Sequence, residues 1–98
     1  MSNVKREGPL TPCQHDVMRL ICKGRSHREI QDSLGVARQT VSDRAQGARW
    51  KMGCVNSAEA AANYAQWLLL HDMARRTDLP PDTRAALLWR ARRLVPTE

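Results

Sequence analysis

Phe is missing from the 98 residues, and three Trp with one Tyr hold the aromatic fraction to 4%. A core so poor in aromatics has to be assembled from Leu, Ile, Val, Met and Ala, which favours helices over a sheet-rich sandwich. Cysteine is scarce and unpaired in pattern. Cys13, Cys22 and Cys54 form no C-x-x-C, and His15, His27 and His71 do not lie at zinc-ligand spacing beside them. Inert, reduced, buried thiols are therefore expected, with no metal and no cofactor. The longest strongly apolar run, WLLL at 67–70, falls far short of the roughly 20 residues that span a bilayer, and MSNVKREGPL has no apolar signal core. A cytoplasmic protein with no membrane partner is the expectation. No Ser-His-Asp order, paired-carboxylate site or Gly-rich phosphate loop is recognisable. A short all-helical chain also leaves little room for a substrate cavity, so catalysis is not expected.

What is present is positive charge. Sixteen Lys and Arg against ten Asp and Glu give a net +6, and a pI near 10.0 makes a polyanion a plausible partner. The surplus is greatest in the middle: residues 25–51 carry six cations against three carboxylates.

The apolar spacing predicts an all-α fold. Residues 1–9 are polar and aperiodic and read as a flexible arm, in which Lys5 and Arg6 could enter a minor groove or simply solubilise the chain. Thr11, Pro12 and Gln14 mark the start of a first helix with Val17, Leu20 and Ile21 on one face, ending at Gly24. Ser26 with Glu29 opens a short second helix carrying Ile30 and Leu34, which Gly35 closes. A third helix follows with Val41, Ala45, Ala48 and Met52 inward, and Gly53 ends it. Asn56 with Glu59 opens a fourth helix whose stripe of Ala58, Ala61, Ala62, Ala65, Leu68 and Leu69 starts unusually small-sided. A fifth begins at Pro81, with Leu87, Leu88, Ala91 and Leu94 on one side. Trp67 and Trp89 are expected between helices four and five, and Trp50 nearer solvent. Stacking on single-stranded bases is the alternative for these rings.

Two short helices around a Gly-containing turn, the second apolar on one side and polar on the other, are the correlates of a helix-turn-helix. With the third helix packed on Val41, Ala45, Ala48 and Met52, its outward side near the N-terminus carries Gln39, Ser42, Asp43 and Gln46. Those are the candidate base readers: Gln can pair with adenine N6 and N7, and Asp can accept from cytosine N4. Arg38, Thr40, Arg49 and Lys51 are better placed for phosphates, which position without reading sequence. Arg44 is open between a DNA contact and an ion pair with an acid on the second helix.

These residues carry a resemblance. Leu10 to Gln66 resembles the DNA-binding domain of the LuxR family of bacterial transcription regulators, the GerE-type helix-turn-helix. The carrying strings are LTPCQHDVMRLICKG, SHREIQDSLGVARQTVSDR and KMGCVNSAEAAANYA. They are similar to the family's L-T opening, its E-I-x-x-x-L-x-[VI]-x-x-x-T-V signature and its K-[LM]-G-V linker into an E-A-containing helix. Arg44 stands where the family usually has His, and Ala37 where it has a Ser cap. Residues 67–98 are read as a helical C-terminal extension.

The resemblance implies a four-helix domain in which Ser42, Asp43 and Gln46 face bases and Thr40 and Lys51 touch phosphates. It also implies homodimer contact through the fourth helix, hence through Ala58, Ala61, Ala62, Ala65, Leu68 and Leu69. The implied function is a free-standing, homodimeric, sequence-specific binder of double-stranded DNA that regulates transcription in a bacterial or phage setting. The family's usual sensor is missing, so control would fall to concentration, a partner protein or residues 67–98. TVSDRAQGARWKM also resembles region four of bacterial sigma factors, which supplies the alternative: an adaptor that grips RNA polymerase or another regulator, with Asp43 as the acid that would repel phosphates.

Overall fold

The computed structural model describes residues 8–96. Five helices and no strand occur among them: α1 (Pro12–Cys22), α2 (His27–Leu34), α3 (Arg38–Met52), α4 (Ser57–Ala74) and α5 (Pro81–Leu94). The all-α expectation holds, and so do the helix starts. Lys5 and Arg6 lie outside the described residues.

Local hydrogen-bonding rules explain the starts. The Thr11 hydroxyl accepts from Gln14 N while the Gln14 side-chain oxygen accepts from Thr11 N, and Ser26 and Glu29 do the same for α2. Each pair satisfies two of the amide groups that a helix N-terminus leaves unpaired. At α4 the box is displaced by one residue: Asn56 accepts from Glu59 N, but the Glu59 carboxylate accepts from Val55 N. α3 begins at Ala37 with no side-chain cap. At α5, the Arg84 guanidinium donates to the Ala74 carbonyl at 3.0 Å and so ties α5 to an orphan carbonyl at the end of α4.

Two clusters of buried side chains hold the helices. Val17, Ile30 and Val41, from α1, α2 and α3, are wholly inaccessible and are surrounded by Leu20, Ile21, Leu34, Val36 and Ala45. The second cluster joins α1, α3, α4 and α5 through Met18, Ala48, Ala60, Tyr64, Trp67, Ala91 and Val95. α1 serves both, because adjacent residues Val17 and Met18 point about 100° apart on a helix. α5 folds back along α4, its main packing partner. The Leu10 amide donates to the Pro96 carbonyl at 3.1 Å, which brings the two ends of the described chain together. α4 runs without a break through position 66.

One contact between α1 and α3 depends on a missing side chain. Gly47 is buried in mid-α3, and a Cβ there would lie 2.6 Å from the Gln14 amide nitrogen. Gln14 is itself held by Thr11, so the cap of α1 and the close crossing of α3 share one side chain. Gly in a helix interior costs roughly 1 kcal/mol relative to Ala, and the close approach at Gln14 is its structural use here.

Several expectations about burial are corrected. Cys13 is exposed at the start of α1, where no neighbouring helix covers it, while Cys22 is half-buried and Cys54 buried. Burial pushes both of the latter thiols up. Trp67 is buried in the cluster that α4 shares with α5, as expected, with its ring also against His15, Tyr64 and His71. Trp89 is 60% exposed, since α5 turns Ala91 and Val95 onto α4 and leaves Leu88 and Trp89 outward. The small residue at 91 permits the close approach, and the larger ones fall on the other side.

Around Trp67 the core becomes polar. The Tyr64 hydroxyl and His15 Nδ1 are hydrogen-bonded at 2.7 Å, and burial pushes the Tyr64 phenol up to about 12. Burial, reinforced by the Arg19 charge, lowers the His15 pKa, and burial with Arg75 lowers that of His71. Trp67 Nε1 is buried without a hydrogen-bond partner.

Candidate nucleic-acid interface

The turn between α2 and α3 fixes how α3 is presented. Gly35 adopts the left-handed conformation, φ 67° and ψ 35°, with its amide on the Gln31 carbonyl. Any residue with a Cβ would be strained there, so the sharp stop of α2 follows from the glycine. Val36 then returns into the first cluster and Ala37 extends before α3 starts.

α3 is fixed from behind by Val41 and Ala48, both wholly buried, and by half-buried Ala45 and Met52. All four nominated inward residues therefore face the core; buried Gly47 is the one the spacing missed. Of the nominated base readers, Gln39, Asp43 and Gln46 are exposed and Ser42 half-buried. Gln39 Nε2 donates to Asp43 Oδ1 at 2.9 Å, which holds two of them in a preset arrangement one helical turn apart.

Ser42 and Gln46 open onto a shallow groove between α3, the α1–α2 turn and the start of α4. It also contains Arg25, His27 and Arg49, so three basic side chains flank the two polar ones. Arg25 and His27 were missed in the sequence. The Ser26 cap puts both at the start of α2, the end away from the Gly35 turn, and no short-range spacing brings that end beside Ser42 and Gln46. Arg38 lies in a second depression with Arg28 and His27.

The remaining nominated phosphate contacts divide. Arg49 Nη1 donates to the Val55 carbonyl at 2.8 Å and Lys51 Nζ to the Pro9 carbonyl at 3.0 Å. In this structure both also act as ties, one on the α3–α4 link and one on the segment before α1. Thr40 and Arg44 are half-buried. Among the described residues the ion pairs are Arg19–Asp16 and Arg76–Asp78, so Arg44 makes none with an acid of α2. Glu29, capping α2, has its carboxyl held below its usual range by the Ser26 amide and hydroxyl.

The nominated dimer residues are split by the roll of α4. Ala58, Ala62, Ala65 and Leu69 form one exposed stripe at helical spacing. Ala61 and Leu68 turn to the core side, where the Cys22 thiol donates to the Ala61 carbonyl and Leu68 packs on the second cluster.

No helix of the described chain is long and apolar enough to cross a membrane, and no group of three or more His, Cys, Asp or Glu among the described residues could hold a metal ion. No solved structure matches the chain. A transcriptional regulatory protein of Rhizobium johnstonii, MctR, is 36% identical over 50 residues, which is 51% of this chain and 23% of that protein. The chain thus aligns with under a quarter of that relative's length. Residues 8–64, covering α1 to α3 and the first part of α4, match the family described as bacterial regulatory proteins of the luxR family. With its helix-turn-helix and more than half its length inside that match, the chain belongs to the LuxR family of bacterial regulatory proteins.

Proposed function

We propose that this protein is a sequence-specific, duplex-DNA-binding transcriptional regulator that works as a homodimer. The observation that carries the reading is the two-sided α3. Val41 and Ala48 lock it onto α1 and α2, and Gln39, Asp43 and Gln46 stand outward at the end nearest the turn. A helix entering the major groove reads base edges with its N-terminal residues, and needs such a rigid, apolar back. Gln46 and Asp43 supply the discrimination, with Gln39 steering the Asp43 carboxylate. Arg38, Thr40, Arg44, Arg49 and Lys51, joined by Arg25 and Arg28, supply the phosphate contacts.

The exposed stripe Ala58, Ala62 and Ala65 is the surface for the second copy, small-sided enough for two α4 helices to approach closely, while Leu69 one turn further lines the groove between α4 and α5. Two copies related by a two-fold would present two α3 helices to a palindromic site. The adaptor reading gains one observation, the apolar outward side of α4 and α5, whose groove no residue of α3 lines.

Selection of duplexes from a random pool at stated salt tests the proposal. Enrichment of a palindrome is the expected result. Absence of any enriched duplex, with RNA polymerase bound instead, would replace it with the adaptor.

A further inference from the structure

The outward side of the α4–α5 pair is unlike the rest of the surface. Leu69 is 61% exposed and Trp89 60%, with Met73 and Leu88 open beside them. Leu69 and Leu70 of α4 face Trp89 and Leu94 of α5 across a groove of about 640 Å³, and Arg90 and Arg93 stand on its α5 side. No carboxylate lines it. The Arg93 guanidinium carbon lies 4.8 Å from the centroid of the Trp89 ring, so cation and indole are held together at the rim. Neither Arg90 nor Arg93 makes an ion pair among the described residues.

An exposed apolar patch rimmed by charge marks an interaction site, and a groove between two helices accepts the apolar face of a third. Charge decides the occupant. A second copy seated by a two-fold on this groove would face Arg90 and Arg93 with their own equivalents, on a chain already at +6, and the groove offers no acid to offset them. A nucleic-acid strand would match the arginines and leave Leu69, Leu70 and Leu94 against phosphates and water. We propose that the α4–α5 groove docks an acidic amphipathic helix of a partner protein, its apolar anchors between Leu69–Leu70 and Trp89–Leu94 and its carboxylates on Arg90 and Arg93. Such a partner supplies a control input at a groove that no α3 residue lines, and the docking does not depend on what α3 reads.

Panning a displayed library of helical peptides on the whole protein tests this, followed by titration calorimetry of the enriched peptides. Enriched helices should pair apolar residues at i, i+3 or i+4 and i+7 with an excess of Asp and Glu. The exposed double variant Arg90→Glu/Arg93→Glu should weaken their binding by about tenfold or more through charge repulsion. Trp89→Ala should weaken it as well, which keeps the test valid if the double variant melts early. Enrichment of basic or uncharged helices, no enrichment, or affinities untouched by these variants overturns the proposal. So does a fall in mass of the double variant by light scattering with no acidic helix enriched, which assigns the groove to a second copy. Single-stranded oligonucleotide binding that the double variant abolishes, again with no acidic helix enriched, assigns it to nucleic acid.

Discussion

α1, α2 and α3 meet on three aliphatic side chains, Val17, Ile30 and Val41, and turn polar and basic groups outward. α4 and α5 meet the body on Tyr64, Trp67, Ala91 and Val95 and turn Leu69, Met73, Leu88 and Trp89 outward. Packed helices build both regions, yet one leaves a polar, basic outer surface and the other an apolar one. The lesson is that the inner face reports the fold and the outer face reports the partner. A helix apolar on nearly all sides, as α4 is, belongs wholly inside unless something else is meant to cover it.

The largest expected difference between the regions is in stability. Ile30→Ala opens a cavity beside the wholly buried Val17 and Val41 and should cost about 2 to 5 kcal/mol, against less than about 0.5 for Leu69→Ala on the surface. Thermal denaturation followed by circular dichroism reads both, and equal losses would erase the distinction. Ala37→Ser should act in the opposite sense. It supplies the missing cap of α3 and should stabilise by about 0.5 to 2 kcal/mol, raising the melting temperature by several degrees. A lowered melting temperature would mean that the serine disturbs the turn.

A smaller effect separates the regions by pH. His15 and His71 flank Trp67 and have folded pKa values below 6.5 because burial disfavours their charged forms. The unfolded chain therefore takes up protons first as pH falls. The stability these residues permit is present above pH 6.5 and lost as pH drops through their folded values. The cluster of Val17, Ile30 and Val41 contains no titratable group. Melting temperature should decline between pH 7 and 5 in the parent and decline less in His71→Phe. Identical profiles would place the proton uptake elsewhere. The mildest test is Ala65→Arg, which should leave melting of the protomer nearly unchanged and shift the mass from dimer to monomer; an unchanged dimer would move the interface off the exposed α4 stripe.

The helix-turn-helix region was the more legible of the two. Thr11, Ser26 and Asn56 cap where their spacing to Gln14, Glu29 and Glu59 indicates, because capping is settled within four residues. Gly35 likewise declares its turn locally. α3 has one apolar side, so the phase of its 3.6 period is unambiguous. α4 offered alanines and leucines on several sides, and its inward residues turned out to be Ala60, Tyr64 and Trp67, with only the flank of the expected stripe turned in. The exposure of Trp89 depends on which side of α5 meets α4, a choice that composition does not make. Gly47 against Gln14 and Lys51 on Pro9 join residues 33 and 42 positions apart, and no short-range spacing encodes such pairs.

The claim that α3 reads base edges is tested most directly on the duplex that selection yields, by following affinity against salt for the parent, Gln46→Ala and Arg38→Ala. Gln46→Ala should lose about 1 to 3 kcal/mol on that duplex, keep its non-specific affinity and keep the parent slope, since a base contact releases no counterion. Arg38→Ala should weaken all sequences alike and reduce the slope of log affinity against log salt by about one. If both variants bind the selected and the random duplex as the parent does, with the parent's slope, α3 does not lie in the groove.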